Sequence, residues 1–136
     1  MTGMDREQPI GAGLNSFFLG GFECSCHRRV DGRQLDLLES TGHARFAERD
    51  YAALRDHGIG AIRDGLRWHL IETAPGRYDW SSALPMLRAA RTAGVQVIWD
   101  LCHYGWPHDL DIWSPEFPDR LAALSLIHIS EPTRPY

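Results

Sequence analysis

Several things are missing from this 136-residue sequence, and most of the absences remove a class of protein. No apolar run approaches the roughly 18 residues that cross a bilayer. Basic residues do not outnumber acidic ones: 14 Lys+Arg against 18 Asp+Glu leave a net charge of −4. That excludes a nucleic-acid footprint and an attraction to anionic membranes. Lysine is absent, all 14 basic residues being Arg, which reads as GC-rich coding bias. Cysteine is scarce and odd in number (Cys24, Cys26, Cys102), which fits a reducing compartment better than a disulfide framework. The N-terminus, MTGMDREQPIGAG, has acidic and polar residues where a secretory signal needs a basic region and an apolar one. The expected location is the cytoplasm.

What is present is ordinary globular composition, 43% hydrophobic and 24% charged, alternating between strand and helix patterns. Residues 17–22 (FFLGGF) form a short apolar strand candidate. A polar stretch, residues 28–42, follows as a long loop. Ala47, Tyr51, Leu54 and Gly58 stand at helical spacing, with Gly58 as a stop. Residues 60–66 (GAIRDGL) predict a second strand and residues 75–80 (PGRYDW) a turn. Ser81 or Ser82 can cap a helix that tolerates Pro85 in its first turn. Leu84, Leu87 and Ala90 give that helix an apolar face, and Gly94 ends it. Residues 95–101 (VQVIWDL) predict a third strand, and another helix starts near Pro115 or Glu116.

Strands and helices alternating at this spacing imply an α/β fold with a parallel sheet. A doubly wound sheet and a (β/α)8 barrel both fit. The dinucleotide fingerprint G-x-G-x-x-G is missing after the first strand, where Gly20-Gly21 runs into Phe22-Glu23-Cys24, and there is no P-loop.

The end of the sequence has a different character. Residues 124–134 (LSLIHISEPTR) resemble the translation of a common transposase-type sequencing adapter. The natural sequence is therefore expected to end at about Ala123 or Leu124. The expected division is an N-terminal extension over 1–16, barrel sequence over 17–123, and a non-native tail over 124–136.

Three motifs, in order and at family spacing, carry a resemblance over nearly all of residues 17–123. Phe18-Leu19-Gly20-Gly21 is similar to the FLWGxA opening of family 1 glycoside hydrolases. Residues 62–68 (IRDGLRW) resemble their YRFSISW strand, and residues 101–107 (LCHYGWP) their LYHWDLP loop. Residues 112–116 (IWSPE) are similar to the GGWLNPE segment, and residues 76–80 (GRYDW) to an element shared across clan A barrels.

The resemblance implies a (β/α)8 TIM barrel, here its first three βα units and so incomplete. The implied activity is hydrolysis of β-glycosidic bonds, β-glucosidase-like, on a carbohydrate substrate. It uses two glutamates and neither cofactor nor metal. The chemistry is retaining: one carboxyl protonates the leaving oxygen and the other attacks the anomeric carbon, about 5–5.5 Å away. Those glutamates belong to the fourth and seventh strands, so no catalytic residue carries over, and this chain alone is expected to be inactive. Three of eight units also leave open sheet edges, which predicts poor folding or aggregation.

What carries over is part of a sugar site. Arg63 matches the second-strand arginine that hydrogen-bonds the nucleophile, a task suited to a permanent charge. His103 matches the third-strand histidine on sugar hydroxyls. Trp68 and Trp106 are candidate walls for a sugar ring. Arg67, on the strand face of Arg63, is a further candidate. Glu23 and Asp64 are other carboxylates at strand ends, although Asp64 points opposite to Arg63 on an ideal strand, toward the helix layer. The family's QIEG element is replaced by Cys26-His27-Arg28-Arg29. Arg28 in that place suggests an acidic or phosphorylated glycone.

Two rival readings stand beside this one. Cys24-x-Cys26-His27 with Cys102-His103 has ligand types for a metal-dependent barrel hydrolase. The chain could also be a non-catalytic sugar-binding protein or an inactive fragment.

Overall fold

The computed structural model describes residues 13–130 and the side chains up to Ile127. Residues 1–12 and 131–136, most of the expected extension and half of the expected tail, lie outside the described residues. The fold is mixed α/β around a three-stranded parallel sheet of β1 (Leu19–Gly21), β4 (Ala61–Gly65) and β7 (Gln96–Asp100), in the order β1-β4-β7. All three strands predicted from the sequence are present, each trimmed at its ends.

The connections are helical, as parallel strands require. Between β1 and β4 lie β2 (Cys26–Arg28), β3 (Gln34–Asp36), α1 (Leu37–Ser40) and α2 (His43–Asp56). Between β4 and β7 lie α3 (Trp68–Ile71), the hairpin β5 (Glu72–Ala74) and β6 (Arg77–Tyr78), a 3-10 turn (Trp80–Ser82) and α4 (Leu84–Ala93). After β7 a long loop leads to α5 (Glu116–Ser130).

Helix α2 buries His43, Ala47 and Tyr51, one face at i, i+4, i+8. Gly58, with φ +76°, follows its end as expected. α4 carries Pro85 in its first turn and stops at Gly94, whose φ of +66° suits a left-handed cap. Its buried face is Met86, Ala89 and Ala90, offset from the predicted Leu84/Leu87/Ala90 face. The reason is that α4 lies between two cores. Met86, Ala89 and Ala90 pack with Ile62, Tyr51 and Ala47, whereas Leu87 touches a second cluster of Leu66, Trp68, Ile71, Ala83, Leu110 and Leu124.

Three local expectations change. Residues 28–42 are not a plain loop: β2 and β3 pair antiparallel across a turn closed by the Arg29 N–H donating to Arg33 O (2.8 Å), with Gly32 at φ +82°. The turn over residues 75–80 includes a short hairpin, β5–β6, with Gly76 at φ +72°. Neither Ser81 nor Ser82 caps α4. Its N-cap is Ala83, and Asp79 caps the preceding 3-10 turn by accepting from the Ser81 N–H at 2.9 Å. Helix α5 runs on through the adapter-like residues 124–130, and Phe117, Leu121 and Leu124 recur on one face against the second core.

The sheet has one covered face and one open face. Ile62 and Asp64 point to the helices and are fully buried. Leu19, Arg63 and Ile98 point the other way and are exposed. Among the described residues no strand pairs with the outer edge of β1 or of β7. No helix there is long and apolar enough to cross a membrane.

Candidate functional site

Side chains on the open face gather where the strands end. Register places Arg63 beside Gly21 and Ile98, and Asp100 beside Gly65. The Arg63 guanidinium reaches across to the Asp100 carboxylate and forms an ion pair. That hydrogen bond, then the charge behind it, raises the Arg63 pKa further. His103, in the loop after β7, has Nδ1 at 3.2 Å from Cys24 Sγ, 3.6 Å from Asp100 Oδ2 and 3.8 Å from Glu23 Oε1. Cys24 Sγ in turn lies 3.5 Å from Asp100 Oδ2.

The backbone holds this cluster together. The Phe22 N–H donates to Arg63 O at 3.1 Å, continuing the β1–β4 ladder past the strand end. The Cys26 N–H donates to His103 O at 3.0 Å and ties the post-β7 loop to β2. Gly105 in that loop lies against Cys26, where an added Cβ would meet the Cys26 Cβ at 2.8 Å. Tyr104 before it adopts a left-handed φ of 61°, strained for a residue with a side chain.

Gly65 makes room for Cys24: a Cβ there would stand 2.6 Å from Cys24 Cβ and 2.7 Å from its Sγ. Gly65→Ala is therefore expected to displace Cys24 and to destabilise by about 1–3 kcal/mol through overpacking. Urea unfolding reads the stability, and mass-spectrometric mapping of iodoacetamide labelling reads Cys24. An unchanged midpoint with unchanged labelling would show that the contact does not matter.

Electrostatics separate the members. Burial, then Asp100, pushes the Cys24 thiol up to about 12. Burial and Asp36 do the same to Cys26, also to about 12. The Ser25 amide donating to Glu23 Oε1 holds that carboxyl below its ordinary value, with His103 and Arg63 adding to the effect.

The other residues singled out from the sequence are dispersed. Asp64 faces the helix layer, where it accepts hydrogen bonds from Tyr51 and His43. Arg67 lies beyond the end of β4 and turns away from Arg63, to Asp36 (3.3 Å) and Glu39 (3.6 Å). Trp68 has no exposed surface in this chain: it sits in the second core with Nε1 donating to Glu72 at 2.7 Å. Trp106 and Arg28 both line a small cleft next to the cluster, together with Gln34, Tyr104 and His108.

Of the proposed metal ligands, Cys24 and His103 come together. Cys26 Sγ faces Asp36 and the Cys24 carbonyl instead, and Cys102 packs half-buried on the second core. Asp100 was missed by sequence reasoning. Its signal was its place at the end of the third predicted strand, the position where parallel α/β sites collect side chains.

A parallel sheet of βα units, covered by helices on one face and carrying charged side chains at its strand ends, defines the class as mixed α/β. Among solved structures the chain resembles the exo-beta-1,4-mannosidase Op5Man5 from Opitutaceae bacterium strain TAV5. The TM-score is 0.58 at 17% identity, over 82% of this chain and 21% of that one. The shared feature is the fold. This chain spans 21% of that protein's length. No protein-family model and no curated protein matches the chain.

Proposed function

We propose that residues 17–123 are the N-terminal part of a clan A (β/α)8 glycoside hydrolase that cleaves β-glycosidic bonds. The observation that carries this reading is the convergence of Arg63 and His103, two residues of the resembled motifs, on one side of the strand ends. The fold likeness to a mannosidase supports it.

In this reading the remaining strands would pair with the open edge of β7 and cover the face that holds Leu19 and Ile98. Two glutamates from the fourth and seventh strands would then face the cluster. The proposed mechanism is retaining double displacement: one carboxyl protonates the leaving oxygen, and the other attacks the anomeric carbon. Arg63 would exchange part of its hold on Asp100 for the nucleophile, keeping it ionised and oriented. His103 would exchange hydrogen bonds with sugar hydroxyls, since an imidazole nitrogen donates or accepts according to tautomer. Trp106 and Arg28 would border the glycone, with Arg28 favouring an anionic one.

The test is the reading frame that follows Ala123 at the source locus, and activity of the enzyme it encodes. An Asn-Glu pair at the fourth strand end and a Glu at the seventh are expected, with hydrolysis of aryl β-glucosides or β-mannosides. Arg63→Met should then lower kcat by about 10²–10³-fold, the usual cost of one electrostatic contact to reacting groups. A continuous frame lacking both glutamates would overturn the hydrolase and turn the reading toward a sugar-binding barrel.

A further inference from the structure

Cys24, Asp100 and His103 come from three separate places in the chain, the segment after β1, the end of β7 and the loop beyond it. Their donor atoms nevertheless lie within 4.8 Å of one another. The edges of this triangle are 3.2 Å (S to N), 3.5 Å (S to O) and 3.6 Å (N to O). A tetrahedral zinc ion bound at ordinary Zn–S, Zn–N and Zn–O lengths separates its ligand atoms by about 3.3–3.6 Å. Two edges fall within that range and the S-to-N edge is slightly shorter, so the triangle is close in size to one face of a zinc tetrahedron. We infer that Cys24 Sγ, Asp100 Oδ2 and His103 Nδ1 form a binding site for a zinc-like divalent cation, with its fourth position open to water or to Glu23.

The ligand chemistry selects the metal. One sulfur, one imidazole nitrogen and one carboxylate oxygen suit borderline-soft Zn²⁺ or Co²⁺ and disfavour Mg²⁺ and Ca²⁺, which take oxygen ligands. Access is one-sided. Cys24 is 1% exposed and is held against Gly65, whereas His103 and Asp100 keep side-chain exposures of 17% and 21%. An ion would enter from the open face, and the thiol proton would leave to solvent as the thiolate bonds the metal.

One group opposes binding. Arg63 pairs with the same carboxylate oxygen, Oδ2, that faces the thiol and the imidazole. Its side chain is 53% exposed and so can swing away. The site therefore carries its own competitor, and removing that charge should tighten metal binding. The inference does not depend on the glycosidase reading, since it concerns only this chain and a metal ion. The two would meet at His103, which cannot serve a sugar and a metal through the same nitrogen.

The experiment is a Co²⁺ titration of the full 136-residue chain under reducing conditions, followed by thiolate-to-cobalt charge-transfer absorption. One Co²⁺ per chain with a tetrahedral spectrum, displaced by Zn²⁺, is expected. Cys24→Ser should abolish the charge-transfer band, whereas Cys102→Ser should leave it. His103→Asn and Asp100→Asn should each weaken binding by about tenfold or more. Arg63→Met should strengthen it by about tenfold, the equivalent of one charge-assisted hydrogen bond released. Absence of the band in the parent chain overturns the site, as does a band that survives Cys24→Ser or vanishes with Cys102→Ser. Should Cys24→Ser fail to fold, the two partly exposed ligands decide. Unchanged affinity in both His103→Asn and Asp100→Asn, or in Arg63→Met, excludes this three-donor arrangement.

Discussion

Replacing His43 by Phe is expected to cost about 3–5 kcal/mol of stability near pH 5 and clearly less near pH 8. His43 is 3% exposed, and both ring nitrogens meet carboxylates: Nε2 is 2.7 Å from Asp64 Oδ2, and Nδ1 is 2.8 Å from Asp50 Oδ2. Only the imidazolium can donate at both nitrogens. Burial opposes that charge and would lower the pKa. The hydrogen bonds to Asp64 and Asp50, with their charges, outweigh it and hold the pKa above the ordinary 6.5. Phe22 stacks on the ring at 3.8 Å and shields it.

The sign follows from the direction of each shift. A histidine whose pKa is raised on folding contributes fully below its unfolded value of 6.5, and the contribution is lost as pH rises through the raised value. Asp50 behaves oppositely. Burial raises its pKa, but the hydrogen bonds from His43 and Arg49 prevail and lower it from 3.8. Its contribution is present above that value and is lost as pH falls through the depressed one. The cluster should therefore stabilise most between these limits. His69, whose burial lowers its pKa, pulls the other way, so the informative quantity is the difference between parent and His43→Phe.

Urea unfolding at the two pH values measures it. A parent-to-variant difference that stays constant from about pH 5 to 8 would exclude a charged His43. Tyr51→Phe is the contrasting variant. Burial and Asp64 push the Tyr51 hydroxyl far up, so it remains a donor to Asp64 at 2.6 Å, and its loss should cost about 1–3 kcal/mol with little pH dependence over that range.

Arg120→Met should be comparably damaging, at about 3–5 kcal/mol. The Glu72 side chain is fully buried between the β5–β6 hairpin and α5. It accepts from Trp68 Nε1 (2.7 Å), the Gly76 N–H (3.1 Å) and Arg120 Nε (3.0 Å). The same guanidinium donates to Asp109 at 3.0 Å, fastening α5 to the loop that precedes it. Without it Glu72 keeps its neutral partners but loses its counter-charge in a dry environment. Glu72→Gln removes the charge and keeps an acceptor for the Trp68 indole. The double variant should therefore be more stable than the sum of single effects predicts. Strict additivity in urea midpoints would mean that the pair is not coupled.

The legible part of this protein was local. Gly58 and Gly94 were readable as helix stops because a left-handed φ favours glycine over other residues. Arg63 and Asp64 were readable as facing opposite ways because a strand alternates. Strand spacing made the parallel sheet readable, and motif order made Arg63 and His103 candidates. Arg67 was misplaced by extending the same alternation beyond Gly65, where β4 stops and the chain turns into α3. Trp68 was read as a wall, but the identity of a tryptophan does not say which side of the sheet covers it. Residues 28–42 looked featureless because three-residue strands carry too little alternation to register.

By itself, then, the sequence determined the βα order, the helix stops and the two faces of the central strand, all properties of neighbouring residues. Tertiary structure alone decided that Cys24 meets His103 across 79 residues, that Asp100 takes Arg63, and that Glu72 is buried against Arg120. Those contacts depend on parallel register and on how helices and loops settle over strand ends. A shift of one residue would reverse each face, and no local pattern specifies that register.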